Sequence, residues 1–313
     1  MHNGVVLIAE GVIPQDKEVD LPKGGKIKSQ LDSFTTQRQR YTRVWDMCSL
    51  YLQGQQHIQW DKNLRNFIGT PSRRGQSRVT FNLIINIYRN ILARLSIAYP
   101  SVTVMPSSPS TEDIMKSEAS ETFLRYYWHA EDMKGTLTTL LEWLLITGNA
   151  GLHTFYDPED DKIHTRTVSP YDLFLEPGAT KVSESRFCAI RHTVHRDDLL
   201  KAYPSKADII KKSGERPQRV MRTFFQSASG TDSNELKDRL EVFEVYMQTG
   251  EMGMLLGTEW IYKSKWPVKK SPISIIQYTK MPGRIWGMGM IEPLLELQSM
   301  YNRGRSQVIQ NAE

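Results

Sequence analysis

Cysteine is nearly absent. Cys48 and Cys188 are the only two in 313 residues, and they stand far apart. That excludes a disulfide framework and suits a reducing compartment. Long apolar runs are also missing: no stretch approaches the ~18–20 residues that cross a bilayer. The apolar opening Val5-Val6-Leu7-Ile8-Ala9 is too short for a signal segment and has no basic region before it. The chain is therefore expected to be made in the cytoplasm, with no membrane partner. Charge of one sign is scarce, because 40 Lys and Arg meet 35 Asp and Glu, a formal net of +5. A polyanion partner is permitted by this balance but not demanded, since DNA-coating proteins carry a denser basic face. With 39% hydrophobic residues and dispersed charge, the chain is a soluble globular protein with a sizeable core, divided into roughly one to three domains.

Several chemistries lack their residues. No Gly-x-x-x-x-Gly-Lys-Ser/Thr loop occurs; Gly24-Gly25-Lys26 has neither the upstream glycine nor the hydroxyl that cradle phosphates and magnesium. Gly287-Met288-Gly289 lacks the third glycine of a dinucleotide fold and opens no βαβ unit. A Gly-x-Ser-x-Gly elbow is missing too. Asp157-Pro158-Glu159-Asp160-Asp161 has the acidity of a calcium loop, yet Lys162 stands where glycine is required and the closing glutamate is absent. A solvated turn is the better reading. His192 and His195 lie three apart on an expected strand and point to opposite faces. His153 and His164 oppose each other only approximately and have no third ligand. All four read as structural histidines; no catalytic residue, metal or cofactor is expected.

What is present is periodic. Phe34, Tyr41, Trp45, Cys48 and Leu52 predict a helix over residues 33–53, preceded by an arm with Pro14, Pro22, Gly24 and Gly25. A basic loop with Arg73, Arg74 and Arg78 follows. Ile84, Ile87, Tyr88, Ile91, Leu92 and Leu95 form the clearest helical stripe, ended before Pro100. Val102-Thr103-Val104 alternates as a short strand. Ser110-Thr111-Glu112-Asp113 has the form of a helix N-terminus, and that helix carries Phe123, Tyr126, Tyr127 and Trp128 at a spacing that favours core packing over base stacking. Another helix runs from Met133 through Leu145 into Thr147-Gly148-Asn149-Ala150, where Gly148 supplies a C-cap. An acidic hairpin follows, with strands over 152–157 and 162–168. Further strands are expected over 186–195, 240–248, 258–262 and 272–278, with two short helices flanking Pro204. Residues 213–237 read as a surface loop, and Lys263, Lys265, Lys269 and Lys270 as a charged strand edge.

A last helix is expected from residues 291–313, with Pro293 in its first turn and a length of at least ~33 Å. At 100° per residue, Ile291, Leu294, Leu295, Gln298, Tyr301, Val308, Ile309 and Ala312 share one side. Glu292, Glu296, Arg303, Gln307 and Gln310 share the other. No stop signal precedes Glu313, so this helix looks cut, not finished.

The ordered set of helix, Thr147-Gly148-Asn149-Ala150, hairpin, and Val168-Ser169-Pro170-Tyr171-Asp172 resembles the wing of tailed-bacteriophage portal (head-to-tail connector) proteins. Asn82-x-x-x-Asn86-x-Tyr88 with Pro100 and Val104-x-Pro106 is similar to that family's first wing helices. Gly287-x-Gly289-x-Ile291-Glu292, with Gln298 and Tyr301-Asn302, is similar to the start of its first stem helix. The resemblance implies an α+β fold: a helix-rich N-terminal half, a β-rich wing sheet, then a long stem helix. Its parts would be an arm (1–29), a wing (30–280, helical over 30–148 and α/β over 149–280) and the start of the stem (281–313). The family's clip, second stem helix and crown are not present in this chain.

The resemblance further implies a structural protein of the virion. It would assemble in the host cytoplasm as a homododecameric ring at one capsid vertex and serve genome packaging, ejection and tail attachment. The implied partners are the major capsid protein, scaffolding protein, terminase large subunit, head-to-tail adaptor and double-stranded DNA without sequence specificity. On this reading Glu296, Arg303, Gln307 and Gln310 face the DNA channel. Leu294, Leu295, Tyr301, Arg305, Val308 and Ile309 lie at the subunit interface. The alternative is a sequence-tolerant nucleic-acid-binding or metal-dependent nucleic-acid-processing protein. That protein needs carboxylates converging on one point, where the sequence offers a turn.

Overall fold

Apolar residues spaced by three and four decide where this chain coils, and strict alternation decides where it extends. A computed structural model describes residues 19, 21–71, 77–97, 102–157, 160–213, 238–266 and 270–312. Helix α1 (Gly24–Leu52) is the spine. Its first half sets Ile27, Leu31 and Phe34 against Phe187, Phe243 and Leu255 of a sheet. Its second half sets Cys48 and Tyr51 against Ile84, Leu145, Met290, Ile291 and Leu295. At roughly 1.5–3 kcal/mol for each large side chain removed from water, this double engagement fixes α1 to both layers. The helix begins nine residues before the position expected from its apolar spacing. Gly24 does not break it: a Cβ there would lie 2.2 Å from the Thr258 carbonyl, so glycine permits close approach to a strand turn.

A small hairpin, β1 (Ile58–Asp61) with β2 (Asn66–Gly69), leads to the expected helix α2 (Leu83–Ile97), of whose stripe Ile84 is buried, Tyr88, Ile91 and Leu92 are half-buried, and Ile87 and Leu95 are exposed. Residues 102–104 are not a strand; the chain there pairs with no strand among the described residues. Helix α3 (Thr111–Ala130) starts as expected, with the Ser110 hydroxyl accepting from Asp113 N–H at 3.2 Å. Its aromatic group is a correction, however. Phe123 and Tyr126 are 51% and 69% exposed, and only Ser117 of this helix is buried. The Ser110 cap and the Glu112–Lys116 and Glu121–Arg125 pairs hold α3 locally. Tyr127 and Trp128 are half-buried, and the Tyr127 hydroxyl lies 2.7 Å from that of Thr165.

Helix α4 (Met133–Thr147) ends at Gly148, whose φ is +80°. The switch to strands falls there, as expected. β3 (Asn149–Asp157) pairs antiparallel with β4 (Lys162–Val168), and β10 (Ile273–Gln277) pairs with the other edge of β3. The second sheet runs β5 (Leu173–Leu175), β6 (Phe187–His195), β7 (Arg239–Met247), β8 (Glu251–Leu256) and β9 (Glu259–Lys265), all antiparallel. On it, Phe187, Ala189, Phe243 and Val245 face α1. Cys188, Ile190, Val242 and Tyr246 face the other way, toward Leu199, Tyr203 and Ile210 from the region of α5 (Arg196–Ala202) and α6 (Ala207–Lys212). The fold is therefore α+β. Strands β1, β2, β5 and β8 were not anticipated, and most of the expected 213–237 loop lies outside the described residues.

The last helix, α7, spans Leu294–Ala312. Pro293 precedes it and does not sit inside its first turn, so the helix is about 28 Å long over the described residues. The chain reaches it through a tight joint. Gly287-Met288-Gly289 passes against the end of α4, and a Cβ on Gly148 would lie 2.4 Å from the Gly289 nitrogen. Asn149 Oδ1 accepts from Gly287 N–H at 2.7 Å, and Met290 N–H donates to the Leu145 carbonyl at 3.1 Å. Both the left-handed conformation and the missing side chain are thus required at Gly148. Gly148→Ala should lower stability by at least about 2 kcal/mol in chemical denaturation, with Gly178→Ala, at an open turn of similar φ, costing clearly less. Equal losses at both positions would refute the close-contact argument.

Candidate functional site

The buried face of helix α7 is largely polar. The face turned to its own subunit carries Leu295, then Gln298, Asn302 and Ser306 at intervals of three or four residues. These three polar side chains read the backbone of residues 79–83 like a ladder. Val79 N–H donates to Ser306 Oγ at 3.1 Å, Phe81 N–H to Asn302 Oδ1 at 3.1 Å, and Leu83 N–H to Gln298 Oε1 at 3.1 Å. Gln298 Nε2 returns a bond to the Phe81 carbonyl at 2.6 Å, and Asn302 Nδ2 donates to Gln56. Gln56 in turn bonds Asn82, which caps α2 through Ile85 N–H. Each buried amide is thereby partnered, which fixes the rotation of α7 about its axis.

The residues expected on α7 fall into three groups. Glu296, Arg303, Gln307 and Gln310 are all exposed. Leu295 is buried among Cys48, Tyr51, Ile84 and Leu145 of its own chain, while Leu294 and Ile309 are half-buried. Tyr301, Arg305 and Val308 are exposed, together with Leu297 (63%) and Met300. The Arg305 guanidinium lies over the rings of Phe81 and Tyr301 at 5.3 and 6.0 Å. The apolar stripe is therefore split, with part of it inside the subunit and part outside. Sequence reasoning missed the polar ladder because Gln298 stood alone on the apolar side, where Asn302 and Ser306 were not counted.

A second buried polar group joins the two larger sheets. His192 Nε2 donates to Glu244 Oε2 at 2.8 Å, and the Tyr246 hydroxyl donates to Glu244 Oε1. His153 Nε2 meets the Tyr246 hydroxyl at 2.9 Å, and Arg166 donates to His153 Nδ1 at 3.2 Å while standing 3.6 Å from Glu244. Burial alone would raise the Glu244 carboxyl, but the surrounding imidazoles and guanidinium hold it well below the usual carboxylate range. Burial pushes His153 down from an ordinary 6.5 to about 4. Both histidines have structural partners, as their sequence reading implied, and His153 and Arg166 are direct cross-strand neighbours.

At the hairpin tip, ligand atoms of Asp157, Asp160 and His164 lie within 4.8 Å of one another, a grouping the sequence reading missed. His164 Nδ1 is already engaged by Glu131 at 2.7 Å. Of the basic loops, Arg78 donates to the Thr70 and Pro71 carbonyls and so braces its own loop. Arg73, Arg74 and Lys269 lie outside the described residues. Lys263 and Lys265 are on β9, an edge strand, where charge discourages further pairing.

The sheet joint makes stability depend on pH with a definite sign. Neutral His153 contributes fully above its ordinary 6.5, and that contribution is lost as pH falls toward 4. The anionic Glu244 contribution is lost only at still lower pH, beneath its ordinary 4.5. Unfolding free energy should drop by roughly 2–3 kcal/mol between pH 6.5 and 4 from His153 alone. His153→Gln should flatten that part of the profile in denaturation series, and an unchanged slope would remove His153 as its source.

Comparison with known proteins agrees with this architecture. No curated protein matches the chain. The family described as Phage P22-like portal protein matches residues 26–252, from the first turn of α1 into β8, well over half of the chain. It takes in the helical layer, the αL turn at Gly148, the acidic hairpin and most of the larger sheet. On that match the chain belongs to the P22-like phage portal protein family.

Proposed function

We propose that this chain forms the wing and the start of the channel wall of a ring at one capsid vertex, with double-stranded DNA passing along α7. The observation that carries this reading is the placement of α7. Its rotation is locked by the Gln298, Asn302 and Ser306 ladder, and Glu296, Arg303, Gln307 and Gln310 are left on open surface. A wall that must let DNA slide has to avoid strong phosphate capture, because each neutralised phosphate adds salt-dependent affinity. Mixed Glu296 and Arg303 with two neutral amides suit that demand better than a basic groove. The described length of α7, about 28 Å, is close to one turn of duplex at ~34 Å.

In this role the chain supplies geometry and no bond chemistry, and the work of packaging falls to the terminase large subunit. The major capsid protein and scaffolding protein would meet the wing, and the head-to-tail adaptor would complete the tail attachment platform. The protein would assemble in the host cytoplasm and end in the virion, in a homododecamer. A metal-dependent nucleic-acid-processing role would draw on Asp157, Asp160 and His164, but the engagement of His164 by Glu131 favours a structural turn.

Sedimentation velocity of the purified chain should give a ring of about twelve copies; a monomer or dimer at all concentrations would overturn the reading. Arg303→Ala should leave that mass unchanged and alter only DNA packaging or retention in assembled particles. Loss of the ring in Arg303→Ala would move that residue from the channel to a subunit contact.

A further inference from the structure

Three guanidiniums line one small pocket whose single carboxylate is already taken. Helix α1 contributes Arg38, Arg40 and Tyr41, β5 and the turn after it contribute Phe174 and Glu176, and the segment before α7 adds Arg284. The pocket measures about 190 Å³, below the roughly 300 Å³ of sites that take drug-sized ligands. At about 30 Å³ for each water, it has room for one small group and little else.

Its electrostatics are one-sided. The Glu176 carboxylate accepts from Arg186 Nε at 2.8 Å and is neutralised by it. Arg40 and Arg284 form no ion pair among the described residues. Their guanidiniums stand 4.6 and 5.6 Å from the centroid of the Tyr41 ring, so two cations lean on one aromatic face or edge. Glu292 lies within electrostatic reach of Arg284, but burial raises its pKa and weakens it as a counter-charge.

Arg38 is 8% exposed. Its Nη nitrogens donate to the Pro170, Tyr171 and Leu173 carbonyls, while its Nε is buried with no hydrogen-bond partner. Nearby, Asp172 and Glu241 are both held by Arg191. Burial and the charge of Arg191 push Arg38 down to about 10. A buried donor without an acceptor and a surplus of positive charge both ask for an anion.

We propose that this pocket binds a small phosphate dianion, either inorganic phosphate or the terminal phosphate of a monoester, with Arg40 and Arg284 as its principal donors. The site lies within one subunit and does not rest on the ring reading. Charge favours phosphate over carboxylate: two unpaired guanidiniums match a charge near −2, which a phosphate monoester approaches at about pH 7. Shape favours it too. Donors come from α1 and from the segment before α7, and a tetrahedral group offers oxygens to both, whereas the two oxygens of a carboxylate share one plane. The phosphodiester of a nucleic-acid backbone carries one charge and two bulky substituents, for which this volume has no room. Bound there, the anion would tie α1 to the segment that leads into α7.

The test is isothermal titration calorimetry of the full chain with inorganic phosphate at constant ionic strength, which holds screening fixed. Circular dichroism confirms the fold of each variant. One phosphate per subunit is expected. Arg284→Ala and Arg40→Ala should each weaken binding at least about tenfold, as loss of a charge-assisted hydrogen bond does. Arg125→Ala, which removes the same charge from exposed α3, should leave it unchanged. Arg38 is kept, because its carbonyl bonds also hold β5. Absence of saturable binding at millimolar phosphate would overturn the proposal. So would affinities that fail to separate Arg284→Ala and Arg40→Ala from Arg125→Ala. Equal binding of dimethyl phosphate would reassign the pocket to a phosphodiester, and displacement of phosphate by equimolar acetate would reassign it to a carboxylate; either result overturns the phosphate dianion as its ligand.

Discussion

The left-handed turn at Gly148 is where helix, sheet and C-terminal helix are tied into one piece. Its carbonyl accepts from Tyr278 N–H, which continues the β10–β3 pairing, and its missing side chain admits Gly287-Met288-Gly289. Asn149 seals the joint with bonds to Gly287 on one side and Thr147 on the other. Every later position depends on this close approach. Met290 and Ile291 enter the core beside Leu145 and Cys48 only because the preceding segment runs along the end of α4. A Cβ at Gly148 or Gly289 would push the segment away and carry α7 with it.

Polar groups then do what apolar packing cannot. Apolar contacts are tolerant of rotation, since one methyl replaces another at little cost. A buried amide is not tolerant, because losing its partner costs about 1–3 kcal/mol. The ladder on residues 79–83 therefore sets the angle of α7, and the Glu244 group sets how the hairpin sheet lies on the larger one. Gln298, Asn302 and Glu244 are each held by hydrogen bonds within the subunit. Their value is orientation, which the proposed ring would need of a repeated component more than extra stability.

Much of this was legible in the sequence, for reasons that can be named. Helices α2 and α4 carry full stripes, Ser110 has a cap's chemistry, and the β3–β4 hairpin alternates cleanly around an acidic turn. The misses have physical causes as well. Gly24 and Gly25 look like helix breakers in one dimension, and only the close Thr258 carbonyl explains why glycine opens α1. Strand β8 reads Glu-Met-Gly-Met-Leu-Leu, too uniformly apolar to alternate because it is buried along almost its whole length. The aromatics of α3 follow helical spacing, which reports a face but not whether that face turns inward. On α7 the inward side was set by hydrogen bonds to a distant segment, information that no periodicity contains.

That last miss bears on how the molecule is meant to be seen. A chain that buried every apolar face by itself would have nothing left to hold a neighbour. Here α3 keeps Phe123 and Tyr126 in solvent, and α7 keeps Leu297, Met300 and Val308 there, while amides and carboxylates with firm partners fill parts of the interior. Each exposed large side chain forgoes roughly 1.5–3 kcal/mol in the isolated subunit, which the proposed ring would recover. The division also separates two requirements that would otherwise conflict. Orientation is fixed early, inside the subunit, by directional bonds. In the proposed ring, cohesion would be added later, between subunits, by contacts that tolerate the small adjustments of ring closure.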